Sequence, residues 1–202
     1  MCGGKVVHPL LISLANTSMT VRNKASSHAF LLLEVMSIPE FLNKMPRMCL
    51  LLEARLFHQC LDIVLKPLKQ AAQFGCTIPD LLGNQHYCFM PLVSYIADTP
   101  EACLVACARG QTFPVTTAMN KDFGDQHRHL PRTAELTLSQ LNSIKDLESD
   151  IKAYFKVCKP YCLSRVACPF WRDWPLMQPP RFLTPEPLYY WHRESWDHDV
   201  CW

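Results

Sequence analysis

Apolar residues recur at three- and four-residue steps through Met48, Leu52, Leu56, Cys60, Ile63, Val64, Leu68 and Ala71. Glu53, His58, Asp62, Lys66 and Lys69 fall mostly off that stripe. This period predicts an amphipathic helix over 47–74 whose apolar face is core, with Asp62 and Lys66 as an i,i+4 ion pair. Pro67 should kink or split it, and Gly75 is a natural stop. Upstream, 5–16 reads as a strand closing in a turn. The apolar run from His28 to Ile38, bounded by Pro39, has strand length; periodicity alone does not separate it from a short helix, and it is taken as a strand. Downstream come a turn from Thr77 to Gly83 and a third strand from Tyr87 to Ala97. A helix then opens, with Thr99 as N-cap, Pro100 at the first position and Glu101 in the first turn, leading into Ala102–Ala108. Residues 109–132 lack periodicity, and 133–158 is helical in two pieces broken around 146–150. Thr184-Pro185-Glu186 repeats the helix-start chemistry seen at Thr99.

Composition narrows the picture. The 202 residues are 49% apolar and 19% charged, which permits a sizeable core. A net charge of +2 excludes a strongly basic nucleic-acid arm, so any such contact needs a local patch. Six glycines and no G-x-G-x-x-G or Walker loop exclude the common nucleotide cradles. Met1-Cys2-Gly3-Gly4-Lys5 carries neither a secretory nor a myristoylation pattern, and no apolar run approaches the ~18 residues of a membrane span. An intracellular, soluble chain without a membrane partner is expected. Eleven cysteines, an odd number mostly within apolar segments, suit buried free thiols better than a disulfide framework. Zinc is the alternative: Cys103/Cys107 and Cys158/Cys162 are C-x3-C pairs, with Cys168 nearby, and on a helix either pair would share a face. All five tryptophans (Trp171, Trp174, Trp191, Trp196, Trp202) and six of sixteen prolines follow Cys168.

The resulting order, strand-strand-helix-strand-helix, is that of a partial ribonuclease-H-like core entered at its second strand, in a mixed α/β (α+β) chain. Three regions are expected: a partial core over 1–108, a helical insertion or linker over 109–168, and a Trp/Pro-rich segment over 169–202. In such cores carboxylates at neighbouring strand ends share divalent metals, because two ions ~3.5–4 Å apart must be bridged and neutralised. Asp98 leaves the last strand at such a place. It also has a purely structural reading, as a helix N-cap with Glu101 three residues on as in a capping box.

Longer stretches carry a resemblance. They are His8-Pro9-Leu10-Leu11-Ile12-Ser13-Leu14-Ala15-Asn16; Arg55-Leu56-Phe57-His58 through Leu65-Lys66-Pro67-Leu68-Lys69; Tyr95-Ile96-Ala97-Asp98-Thr99-Pro100-Glu101-Ala102; and Phe123-Gly124-Asp125 with Arg128-His129. They continue with Pro131-Arg132-Thr133-Ala134, Pro169-Phe170-Trp171-Arg172-Asp173-Trp174-Pro175-Leu176, Phe182-Leu183-Thr184-Pro185-Glu186-Pro187-Leu188 and Trp196-Asp197-His198-Asp199. In consistent order they span nearly the whole chain, which resembles the Plavaka transposases of fungal DNA transposons.

The resemblance implies a DDE-type transposase with a ribonuclease-H-like domain, which cleaves and joins DNA using metal-activated water and then a 3′ hydroxyl. It implies Mg2+ or Mn2+ as cofactor, DNA at transposon ends as partner, and a nuclear location. Asp98 corresponds to the second catalytic carboxylate and metal ligand. The first acid is expected upstream of 5–16 and the third beyond the Trp-rich segment. A lone carboxylate does not hold two divalent ions, so a transposase fragment, inactive and without bound metal on its own, is expected. Wider relatives carry a C-P-x-C pair after the Asp98 position, where this chain reads Arg109-Gly110-Gln111-Thr112-Phe113-Pro114, and Tyr189 and Tyr190 replace histidines. His192 and His198 stay open as Zn2+ ligands. Two other readings remain. One is a DNA- or partner-binding remnant built on Lys121, Arg128, Arg132, Arg165, Arg172 and Arg181 with Phe113, Phe123, Phe170, Trp171 and Trp174; Arg128, Arg132 and Arg172 are its foremost DNA contacts. The other is a zinc-stabilised module on Cys158, Cys162, Cys168 and a histidine.

Overall fold

The computed structural model describes residues 7–37, 39, 41–43, 45–110, 112–145, 151–164 and 166–185. Strand β1 (Val7–Ile12) pairs antiparallel with β2 (Leu31–Ser37), with a register shift between Leu10 and Leu11. Between them lie the short helix α1 (Met19–Arg22) and a 3-10 turn over Ala25–Ser27. Leu10, Leu33 and Met36 face the core, while Leu11, Leu31, Leu32 and Val35 are exposed.

The long apolar stripe folds as two helices. Helix α2 (Pro46–Val64) and α3 (Lys66–Phe74) meet at Leu65, because Pro67 cannot continue the α2 hydrogen-bond ladder but fits the first turn of a new helix. Gly75 ends α3 at φ 71°. The break changes the expected ion pairing: Asp62 meets Lys69 Nζ at 2.6 Å and Arg172 at 2.9 Å rather than Lys66. Lys66 starts a new helix, so the i,i+4 geometry is interrupted.

The segment expected as a turn over 77–83 followed by one strand to Ala97 is instead a hairpin, β3 (Cys76–Pro79) against β4 (Gln85–Cys88), and a separate short strand β5 (Tyr95–Ala97). Asp80 closes the hairpin by accepting from the Leu82 and Asn84 amides. Helix α4 (Thr99–Val105) follows β5. After an irregular stretch come α5 (Ala134–Ser143), capped by Thr133, α6 (Ile151–Cys158) and the short α7 (Pro179–Phe182). The chain then returns as β6 (Leu183–Pro185), parallel to β5, with Ala97 opposite Pro185. Thr184 and Pro185 therefore lie in a strand rather than opening a helix; the Ser94 and Thr184 hydroxyls, 2.6 Å apart, tie the two strands.

The fold is thus mixed α/β, with three two-stranded sheets among the described residues. One cluster of buried side chains runs from Ala54 and Leu61 through Tyr95, Ala97 and Val105 to Val166, Phe170, Trp171, Trp174 and Phe182. The first half of the chain and the Trp-rich segment share it. A smaller cluster joins Leu141, Ile144, Tyr154, Cys158 and Leu163.

Candidate functional site

Tyr95 and Ala97 bury their side chains while Ile96 points outward, so β5 alternates up to the tip of the β5–β6 pair. There Asp98, half-buried and still extended (φ −69°, ψ 172°), turns the chain into α4. Its Oδ1 accepts the Glu101 amide at 2.9 Å, and its carbonyl accepts the Ala102 amide at 2.8 Å. Asp98 is therefore the N-cap, and Thr99 is the first helical residue rather than the cap. Among the described residues the second Asp98 oxygen makes no hydrogen bond.

Glu101 does not complete the expected capping box; its carboxylate accepts from the Tyr95 hydroxyl at 2.7 Å. Burial raises the Glu101 pKa, and the Asp98 charge adds to this against the Tyr95 hydrogen bond and the His8 charge. Burial and the same carboxylate raise the Tyr95 phenol. The tip of β5 thus holds two carboxylates, one engaged as a cap and one shared with a phenol, with His8 of β1 in electrostatic reach. Hard oxygens of this kind suit Mg2+ or Mn2+. Among the described residues no three His, Cys, Asp or Glu side chains are grouped to hold a metal ion. His192 and His198, Tyr189 and Tyr190, and the remaining tryptophans lie outside the described residues.

The two C-x3-C pairs take a form the helical spacing did not foresee. Cys103 lies in the last turn of α4 and Cys107 beyond it at φ 55°; Cys158 ends α6 and Cys162 follows at φ 54°. In each case the amide five residues after the first cysteine returns to its carbonyl: Ala108 to Cys103 at 2.8 Å and Leu163 to Cys158 at 3.2 Å. These are helix-terminating motifs with a left-handed residue, so the second cysteine leaves the helical face that i,i+4 chelation requires. The two ends are joined by an antiparallel bridge between Ala108 and Leu163. All four thiols are buried, whereas Cys168 is exposed.

The three arginines foremost as DNA contacts part company. Arg128 is exposed. Arg132 is 2% exposed, with the Cys103, Cys107 and Cys162 thiols around it, and among the described residues its Nε donates no hydrogen bond. Arg172 is bound to Asp62 and to the Pro169 carbonyl. Trp171 and Trp174 are core. Lys121 and Arg181 are exposed, and Arg165 lies outside the described residues.

Two groups were missed by the pattern. His58 and Lys69, assigned to the polar side of the helix, are buried, His58 between α4 and the Trp-rich segment and Lys69 between Asp62 and Asp173. A basic concavity gathers Arg47, Arg109, Lys152, Lys156 and Lys159 about Phe155. Its legible signal was Lys152, Lys156 and Lys159 at i, i+4 and i+7, with partners brought in only by tertiary contact.

No helix among the described residues is long and apolar enough to cross a membrane. Neither a curated protein nor a solved structure matches the chain. A family model described as Plavaka transposase, however, matches residues 1–202, the full length given. The chain, a mixed α/β fold with an acidic tip at the end of its β5–β6 pair, belongs to the Plavaka transposase family.

Proposed function

We propose that this chain contributes to the catalytic domain of a DDE-type transposase of ribonuclease-H-like architecture, in which Asp98 is one of the carboxylates holding a divalent metal for DNA strand cleavage and transfer. The observation that carries this is the position of Asp98 at the tip of a strand paired in parallel with its neighbour. The hairpin β1–β2, the α2 helix next in line and the strand–helix order β5–α4 are in keeping with that architecture, although β1–β2 and β5–β6 form separate sheets and β6 returns only after α5, α6 and α7. The Glu101 amide fixes the Asp98 carboxylate through one oxygen and leaves the other without a hydrogen bond among the described residues. That oxygen is the donor available to Mg2+ or Mn2+, which when bound would activate the attacking water or 3′ hydroxyl. Two ions require further carboxylates, so Asp98 acts with acidic partners beyond those described. Glu101, with its raised pKa and its bond to Tyr95, serves to position the tip. Of the three arginines foremost as DNA contacts, Arg128 is the exposed one and is the candidate to meet phosphate.

Asp98→Asn and Asp98→Ala separate capping from metal binding. Asparagine caps about as well as aspartate, so Asp98→Asn should melt within about 0.5 kcal/mol of wild type, whereas Asp98→Ala should lose about 1 kcal/mol. In the DNA-bound chain, Mn2+ should broaden the amide resonances of Asp98, Thr99, Glu101 and Ala102 in wild type and not in Asp98→Asn. In the complete family enzyme, Asp98→Asn should abolish strand cleavage with DNA binding retained. Broadening or cleavage that survives Asp98→Asn overturns the assignment.

A further inference from the structure

The antiparallel bridge between the ends of α4 and α6 has a consequence at the surface. The Arg109 amide donates to the Cys162 carbonyl at 2.7 Å and the Ser164 amide to Cys107 at 2.8 Å, so Arg109 is pinned beside the end of α6. There Lys152, Lys156 and Lys159 share a face, and Arg47 approaches from the start of α2. These five cations and the half-buried ring of Phe155 line one concavity of about 330 Å³. Among the described residues, none of Arg47, Arg109, Lys156 and Lys159 forms an ion pair with a carboxylate.

Cations at helix C-termini often compensate unpaired carbonyls. Here the Cys103, Leu104, Cys158 and Lys159 carbonyls already accept backbone amides. Arg47 stands in the first turn of α2, where the helix dipole disfavours a cation, and no acidic residue offsets it there. Four cations that converge without a carboxylate partner among the described residues suit a polyanion.

We propose that this concavity is a binding surface for single-stranded DNA: Arg47, Arg109, Lys156 and Lys159 hold backbone phosphates and Phe155 stacks against an unpaired base. The inference rests on the transposase reading in taking the polyanion to be DNA. A single strand is favoured over a duplex because the aromatic ring lies inside a cationic recess. A duplex presents phosphates there and keeps its base faces stacked, whereas a single strand can offer both. Its lining includes neither Asp98 nor Arg128, Arg132 or Arg172.

The experiment is fluorescence anisotropy of the full chain with a labelled oligothymidylate and a duplex of equal length, over a salt series. Wild type should prefer the single strand and weaken steeply with salt. Lys156→Gln with Lys159→Gln should weaken binding about tenfold or more and flatten the log–log salt slope by about 1.4, two single-strand phosphate contacts at ~0.7 each. Phe155→Leu should cut single-strand affinity about fivefold or more with the salt slope unchanged. Phe155 also touches the smaller core, so its circular dichroism and melting are read first; if it does not fold, the two exposed lysine changes decide alone. Wild-type affinity and slope in the lysine double variant overturn the patch and leave the transposase reading intact. Equal affinity for duplex and single strand, with no effect of Phe155→Leu, overturns the single-strand assignment. Absence of DNA binding by wild type at every salt overturns the patch, and removes the DNA contact that the transposase reading needs from this chain. Loss of cleavage in Asp98→Asn tests that reading separately.

Discussion

At the residue scale, His58 shows most directly how chemistry is fixed by burial. Its side chain is 1% exposed, its Nδ1 accepts the Phe170 amide at 3.2 Å, and its Nε2 lies 2.9 Å from the Leu104 carbonyl and 3.6 Å from the Cys107 sulfur. An acceptor at Nδ1 leaves the proton on Nε2, so one neutral tautomer links α2, α4 and the Trp-rich segment. Burial lowers its pKa to about 4; the Leu104 bond opposes this, and the nearby Arg172 and Asp62 charges act in opposite directions. The unfolded chain binds the proton near 6.5. Stability from this group is therefore complete above about 6.5 and declines as pH falls toward about 4, a total of about 3 kcal/mol. His58→Leu should cost about 2–4 kcal/mol at neutral pH by leaving two backbone groups unpaired. The gap between wild type and variant in urea unfolding should then narrow as the solution is acidified. A gap constant with pH contradicts the buried neutral ring.

At the element scale, the junction of α3 with the β3–β4 hairpin turns on Gly75. Its φ of 71° lies in the left-handed region, and a Cβ there would sit 2.7 Å from the Tyr87 ring. The Tyr87 hydroxyl donates to the Phe74 carbonyl, the last of α3, and so closes the helix end with a side chain from the facing strand. Gly75→Ala should cost about 2 kcal/mol, backbone strain together with displacement of Tyr87. Gly83→Ala, at φ 87° with nothing within 4 Å, should lose only the strain, about 1 kcal/mol. Thermal melts that rank the two equally would remove Tyr87 from the account. Gly75 and Pro67 were readable as punctuation because each acts through its own backbone. The hairpin was not, because Thr77–Gly83 carries turn residues on both sides of four-residue strands that only their pairing defines.

At the scale of the whole molecule, the Trp-rich segment completes the core around β5 and α4. The Trp171 indole donates to the Val105 carbonyl at 2.7 Å, Phe170 packs against His58, Tyr95 and Trp174, and Gln178 accepts the Ala134 amide. Residues as far as 112 positions apart, His58 and Phe170, thus share one buried surface. Trp171→Phe removes the donor and opens a cavity, with an expected cost of about 2–4 kcal/mol. Loss measured by helix circular dichroism and by tryptophan fluorescence should coincide in one transition, shifted to lower temperature. Separate transitions, with α2 melting as in wild type, would mean that the segment is an appendage. Composition set this segment apart by its tryptophans and prolines. It did not reveal that their rings face the helices of the first half, since that contact is long-range.

What the sequence determined by itself were the features that depend on near neighbours: the β1 and β2 strands, the α2–α3 stripe with its break, the acidic cap at Asp98, and the motif order that resembles a transposase. Each follows from side-chain period or backbone restriction within a few residues. The tertiary structure alone decided that His58 and Lys69 are buried, that Asp62 turns to Lys69 and Arg172, that the C-x3-C pairs end helices, and that five cations converge about Phe155. Burial and charge convergence are properties of surfaces assembled from distant segments, and a local pattern does not contain the distances that create them.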